Sequence, residues 1–342
     1  MSKYPGEDVW TGPLERPGGE ECDVSEQADM MALRITQKQP AAEDIEFFEL
    51  RHPDGADLPE FTAGAHLALR APNGEIRKYS LCNDPEERDR YCIAVKREVG
   101  GRGGSVSLID ESRVGDEIMV EAPRNDFSLA PSPQYLFIAG GIGITPILSM
   151  IRHIRSRGEG RFKLYYLSRT PAMTAFLDEL KQPEFRGMVT IHHDEGNPDN
   201  ALDLWPVLEK PGAQHLYCCG PRGLMQAVRD MTGHWSTAKV HFEDFTPPGA
   251  MTKPEDKPFT VRLAKSGAAY EVPVGKTILE VLRDNGHVVP SSCESGTCGS
   301  CRTKLVAGEV DHRDLVLSDY EKPENIMVCV SRALGDEITI DV

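Results

Sequence analysis

Short apolar or alternating runs separated by turn residues fill the first third of the chain. Residues 31–35, 45–50, 66–70, 91–96 and 117–121 have the period-two or β-rich character of strands. Pro53-Asp54-Gly55, Asn73-Gly74 and Asn83-Asp84-Pro85 supply turns between them. The pattern predicts a small antiparallel β-barrel. Near Pro133 the rhythm changes to alternating strands and helices. Strands are expected at 135–139, 162–167, 189–192 and 215–219, with helices from Pro146, over 175–180 and over 222–231. That order predicts a parallel α/β sheet. The stretch 247–258 holds four prolines and few apolar groups and reads as a linker. A third unit then opens with a hairpin, 259–263 and 270–274 around Lys265-Ser266-Gly267. Thr277 and Glu280 form a capping box for a helix ending at Asn285-Gly286.

Composition narrows the classes. With 342 residues, two or three domains are expected. A net charge of −16 argues against nucleic acid or an anionic membrane surface as partner. The uncharged stretch 127–151 contains Pro131, Pro133, Gly140, Gly141, Gly143 and Pro146, so it reads as strand, turn and helix start and not as a membrane span. The N-terminus is polar and acidic, and residues 1–29 read as a flexible extension. Nine cysteines without a signal peptide point to a reducing cytoplasm.

Four of those cysteines carry the most specific chemistry. Cys293, Cys298 and Cys301 follow Cys-x4-Cys-x2-Cys, and Cys329 comes later, which is the ligand spacing of a plant-type [2Fe–2S] cluster. Gly296 and Gly299 let the backbone wrap a buried core. Structural zinc, the alternative, prefers paired Cys-x2-4-Cys motifs. The exposed edge of this loop, Glu294 to Thr297, is expected to pass electrons to a partner with a basic patch.

Other segments are weaker alone. On the strand-like segment 77–81, Arg77 and Tyr79 share a face and Ser80 takes the other. They offer a cation, a flat ring and a hydroxyl, as a flavin mononucleotide needs, though a polar outer strand face reads the same way. Gly101-Arg102-Gly103-Gly104-Ser105 precedes a helix start and suits a phosphate, or is a surface loop. Gly140, Gly141 and Gly143 lie between a strand and a helix that Thr145 can cap and Pro146 can start. They suit a pyrophosphate or a packing turn. Cys218-Cys219-Gly220-Pro221 ends a parallel strand, where ligand crevices lie. His192 and His193 have no third ligand nearby and read as strand residues.

In order and spacing these passages, with His241-Phe242-Glu243-Asp244-Phe245, resemble the phthalate dioxygenase reductase family from about residue 30 to Val342. The resemblance implies an FMN-binding antiparallel β-barrel (30–130), an NAD-binding α/β domain (131–245), a linker (246–257) and an α+β ferredoxin-like β-grasp domain (258–342). It implies that Arg77, Gly101, Arg102, Gly103, Gly104 and Ser105 hold the FMN phosphate. Tyr79 would pack on the flavin, Ser80 would stand near N5, and Leu81, Ala94, Val95 and Lys96 would line the ring. Gly141, Gly143 and Thr145 would face the NADH phosphates. Cys219, with Gly220 and Pro221, would face the nicotinamide, and Phe245 would cover the flavin. The strand ending at Ser168-Arg169 lacks the acid that favours NADH, so NADH rests on the resemblance. The implied protein is a cytoplasmic monomer. It takes hydride from NADH to FMN and passes single electrons through the cluster to a separate Rieske-type oxygenase acting on an aromatic substrate. Service to an O-demethylase, or a redox-sensing interaction module, are the other readings.

Overall fold

The protein is seen in a computed structural model that describes residues 30–100, 103–245 and 253–342. The expected extension 1–29, Gly101 and Arg102 of the expected phosphate site, and residues 246–252 of the expected linker lie outside the described residues.

Six strands build the first sheet: β1 (Met31–Ala42), β2 (Ile45–Arg51), β3 (His66–Arg70), β4 (Ile76–Ser80), β5 (Tyr91–Lys96) and β6 (Glu117–Val120). Their order is β4-β3-β6-β1-β2-β5, all antiparallel, and a bridge between Leu81 and Ile93 brings the edges together as a barrel. A helix, α1 (Gly104–Glu111), follows β5. The β5 strand is an unbroken apolar run because both its faces are covered. Val95, Ile93 and Tyr91 fill the barrel, while Ala94 packs into the core of the next domain.

That domain contains β7 (Gln134–Gly140), α2 (Ile144–Arg157), β8 (Arg161–Ser168), α3 (Leu177–Leu180), β9 (Val189–His193), α4 (Trp205–Leu208), β10 (His215–Cys219), α5 (Arg222–Met231) and β11 (Val240–Glu243). The sheet order β11-β10-β7-β8-β9 is wholly parallel. The chain leaves β7 toward β8 and returns to β7's other side at β10, which makes the β7–β10 junction the switch point where ligands sit. On α2, Ile144, Ile147, Leu148, Ile151 and Ile154 recur at helical spacing and are buried, in one apolar cluster with Ile45, Ala63, Ala94 and Phe127 of the barrel. Ser149 donates to Asn83 O at 2.8 Å and Arg152 to Cys82 O at 2.6 Å, so helix and barrel turn are also hydrogen-bonded. The first two domains thus share a core.

The third unit contains β12 (Phe259–Leu263), β13 (Ala269–Val272), α6 (Ile278–Asp284), β14 (Arg302–Ala307), β15 (Val310–Asp311), β16 (Asn325–Met327), β17 (Arg332–Ala333) and β18 (Glu337–Ile340). Its main sheet runs β13-β12-β18-β14-β16, with β12 and β18 parallel, and α6 packs on it. This is the ferredoxin-like arrangement. The capping box forms as expected: Thr277 Oγ1 accepts from Glu280 N–H and Glu280 accepts from Thr277 N–H. Among the described residues no helix is long and apolar enough to cross a membrane.

Some expectations shift. The β1 strand continues to Ala42, past the predicted end at 35. The α2 helix begins at Ile144, so Pro146 lies in its first turn. Thr145 does not cap: it is buried inside the first turn and donates to Ile142 O at 3.0 Å. The helix expected over 175–180 is a single turn.

Candidate functional site

On the barrel side, β4 and the start of α1 meet. Arg77 lies across Gly104 so closely that a Cβ there would stand 2.8 Å from Arg77 Cγ. The helix start has Gly103 in the left-handed region, at φ 80°, with no side-chain cap. Its N–H groups therefore remain available beside the Arg77 guanidinium, which also pairs with Glu75 at 2.7 Å. The Ser105 hydroxyl accepts from Glu98 N–H at 3.1 Å. These residues fit an anionic phosphate. Tyr79 Oη is buried without a hydrogen-bond partner, and burial pushes its phenol up to about 12. His66, paired across the strands with Ser80, has an orphaned Nε2, and burial lowers it to about 4. Unpaired buried polar atoms beside a phosphate-type cradle are what a polar ring system would satisfy. Leu81 and Val95 are fully buried and Ala94 nearly so, whereas Lys96 is exposed and only 3.8 Å from Glu98.

On the nucleotide side, the two loops at the switch point touch backbone to backbone. A Cβ on Gly143 would stand 2.3 Å from Cys219 O, and one on Gly140 would stand 2.5 Å from Pro221 Cδ. Gly220 lies against Gly140 in the same way. Gly141 has φ 53° and open space around it. Cys218 and Cys219 are both fully buried but face opposite sides of the sheet and join different apolar clusters. Burial, with Glu243 beside it, pushes the Cys219 thiol well above its usual range. Just beyond β9, Glu195 N–H donates to Arg169 O at 2.9 Å, which sets an acidic residue next to the residue that follows β8.

The two sides join through a residue to which sequence reasoning gave no role. Glu243 ends β11 directly opposite Cys219, and the Ser80 hydroxyl donates to its Oε2 at 3.5 Å. Burial, then repulsion from Asp126, raises the Glu243 carboxyl to about 8. Ser80, Cys219 and Glu243 are therefore neighbours, although more than 130 positions separate the first two. Asp244 turns inward to pair with Arg222 at 2.6 Å, which leaves Phe245 exposed at the strand end. The only sequence signal for Glu243 was its place within the segment 241–245.

The cluster cysteines sit on a loop that needs left-handed backbone at Glu294 (φ 56°), Gly296 (φ 78°) and Gly299 (φ 83°). They form two pairs. Cys293 N–H points at Cys298 Sγ at 3.4 Å, and Cys301 and Cys329 are buried together in one apolar cluster. The four thiols fit the ligand set of a [2Fe–2S] cluster. Ser295 and Thr297 N–H groups already point at Cys293 Sγ, at 3.5 and 3.4 Å. Lys78 donates to Ser292 O at 3.3 Å and the Ser292 hydroxyl to Asp126, so the Cys293 end of the loop abuts the barrel. The expected exit edge moves. Ser295 and Gly296 are buried under Val330 and Asp314, Glu294 is held by Arg283, and the exposed edge is at Ser300.

Comparison with known proteins matches this arrangement. Residues 32–129 match the oxidoreductase FAD-binding domain, 137–230 the oxidoreductase NAD-binding domain and 261–334 the 2Fe-2S iron-sulfur cluster binding domain. The chain is 54% identical over 322 residues to the phthalate 4,5-dioxygenase oxygenase reductase subunit of Pseudomonas putida, covering 93% of this chain and 99% of that one. It is 55% identical over 314 residues to the phthalate dioxygenase reductase of Burkholderia cepacia, covering 91% and 97%. A solved phthalate dioxygenase reductase, described as a modular structure for electron transfer from pyridine nucleotides to [2Fe-2S], superposes with a TM-score of 0.67 at 55% identity, covering 92% of this chain and 98% of that one. With a flavin-type barrel, a nucleotide domain and a four-thiol loop meeting at one junction, the chain belongs to the phthalate dioxygenase reductase family of NADH-dependent iron–sulfur flavoprotein oxidoreductases.

Proposed function

We propose that the chain is the reductase component of a two-component Rieske oxygenase system, with FMN as its flavin and NADH as donor, acting as a monomer. The observation that carries this is the junction itself: Ser80, Cys219 and Glu243 adjoin where the barrel meets the nucleotide sheet, and the Cys293 end of the cluster loop abuts the same barrel strand through Lys78. When bound, flavin and cluster together turn a hydride's electron pair into single electrons at a potential low enough for an oxygenase centre.

The residues divide the remaining tasks. Arg77 and the Gly103–Gly104 end of α1 bind the phosphate. A compact cradle made by Arg77 and the start of α1 supports the mononucleotide. Tyr79 offers its ring and unpaired hydroxyl to the flavin. Ser80, whose hydroxyl donates to Glu243, would offer that hydroxyl to the flavin near N5. Gly141 and Gly143 let the dinucleotide phosphates approach the backbone. Cys219 keeps its proton on Sγ, since burial disfavours thiolate, so the strand end that would face the nicotinamide carries no thiolate charge. Phe245 supplies an exposed ring at the mouth. Glu195 beside Arg169 offers a carboxylate for the ribose 2′-hydroxyl, which supports NADH.

Heat-released flavin run against standards tests the cofactor, and recovery of FAD would reject the mononucleotide. Cys298→Ser tests the order: NADH should still bleach the flavin while the rhombic EPR signal and electron delivery to the oxygenase disappear. Undiminished delivery in that variant would refute it.

A further inference from the structure

The segment 313–317 of the ferredoxin-like domain touches the cluster loop and the nucleotide domain at once. Toward the cluster, Leu315 N–H donates to Gly296 O at 2.9 Å. Gly296 lies so near that a Cβ on it would stand 3.1 Å from Asp314 Cα. Toward the nucleotide domain, the Leu315 side chain is only 6% exposed and packs in one apolar cluster with Leu136, Ile138, Met225 and Val228. Two arginines of α5 grip the main chain around it. Arg222 donates to Arg313 O, and Arg229 donates to Asp314 O at 2.8 Å and to Leu317 O at 2.6 Å. The segment is stiff within its own domain. Asp314 Oδ2 accepts from the N–H groups of Val316 and Leu317, and Arg313 pairs with Asp256 and Asp311.

We propose that Arg229 and Leu315 are positioning residues for the flavin-to-cluster electron step. They hold the cluster loop at the domain junction by fixing the segment to which Gly296 is bonded. An arginine fork on two carbonyls is a charge-assisted, directional contact. The other contacts beside the loop, Lys78 with Ser292 and Ser292 with Asp126, are at the barrel end. One anchored end allows pivoting, and relative motion is the default for domains joined by modest interfaces. The helix that supplies the grip begins immediately after Pro221, so the nicotinamide-side strand and the cluster loop are connected by one helix and one turn. The hydride step, by contrast, lies between two domains that share a core and does not depend on this grip.

The inference rests on electrons reaching the flavin before the cluster, and wild-type stopped-flow traces test that separately. Cluster reduction without prior flavin bleaching would remove that reading itself. The test of the grip uses the holoenzyme with Arg229→Met, which keeps an apolar stem but removes the donors, and with Leu315→Ala. The flavin-reduction phase should be unchanged, and the flavin-to-cluster phase should slow several-fold, because electron tunnelling weakens exponentially as the gap between the two centres widens. Arg229→Lys, with one compact donor group, should fall between wild type and Arg229→Met. Hydrogen exchange at the Leu315 amide should accelerate while iron content and cluster absorption stay at wild-type values. An unchanged flavin-to-cluster phase in both Arg229→Met and Leu315→Ala would overturn the proposal, as would equal slowing of both phases.

Discussion

Gly141 and Gly143 stand two positions apart in one turn, yet alanine at each should fail differently. A Cβ on Gly143 would meet Cys219 O at 2.3 Å, its carbonyl carbon at 2.5 Å and Gly220 N at 2.7 Å. All three are backbone atoms, so no side chain can swing aside. Restoring an ordinary contact of about 3.5 Å requires the Cys219–Gly220 strand end to retreat by about 1 Å. The strain should cost about 1–3 kcal/mol, offset by up to about 1 kcal/mol because Gly143 has an ordinary helical φ of −64° that alanine prefers. The displaced backbone carries Cys219, the residue proposed to face the nicotinamide, and about 1 Å of misplacement is worth roughly 100-fold in rate. Gly141 differs: nothing lies within 4 Å of its Cβ position, but its φ of 53° costs alanine about 1–2 kcal/mol. Its methyl would enter the space left for phosphate. Stopped-flow flavin reduction across an NADH series separates the two. Gly143→Ala should lower the limiting rate. Gly141→Ala should raise the NADH concentration needed and leave the limiting rate near wild type. A Gly143→Ala enzyme with a normal limiting rate would refute the contact argument, whatever its melting temperature.

Other outcomes follow from the same geometry. The Asp256 carboxyl is lowered from 3.8 to about 2, chiefly by its hydrogen bond to Arg313, and both side chains are almost fully buried. Because the folded value is depressed, its contribution of roughly 2 kcal/mol is full above pH 4 and lost as pH falls toward 2. Asp256→Asn should therefore destabilise the ferredoxin-like domain at pH 7, with the gap to wild type closing in acid. A gap constant from pH 7 to pH 2 would show that the charge is not the source. With a net charge of −16 and the cluster's exposed edge at Ser300, oxygenase-coupled turnover should fall as salt rises while flavin reduction does not. A flat salt series would leave apolar contacts as the docking force.

What the sequence disclosed depended on how local each signal was. The Cys-x4-Cys-x2-Cys spacing, the α6 capping box and the exact span of α5 were readable because the residues that carry each lie within a few positions of one another. The β11 strand was not, since four residues with a histidine and a glutamate carry little strand signal. Glu243 was opaque for a related reason. Its partners, Ser80 and Cys219, come from a different domain and a different strand, and only the parallel register of β10 and β11 brings it to Cys219. Thr145 misled because a threonine before a proline resembles a cap. The 3-10 turn over Gly141–Gly143 starts the helical path earlier and leaves no cap role for it.

The α5 arginines hold main-chain oxygens of the ferredoxin-like domain, and among the described residues Leu315 is the side chain of that domain in the nucleotide domain's apolar cluster. A carbonyl is present whatever residue carries it. The two arginines therefore constrain the course of the 313–317 backbone and not its spelling, while the side chains of Arg313, Asp314 and Leu315 keep that course in place. The barrel and nucleotide domain, fused through interlocking side chains, must change in step. The electron-delivering module is thus the part of this chain that selection can exchange wholesale, redirecting the same hydride chemistry to a different acceptor without redesigning where the hydride arrives.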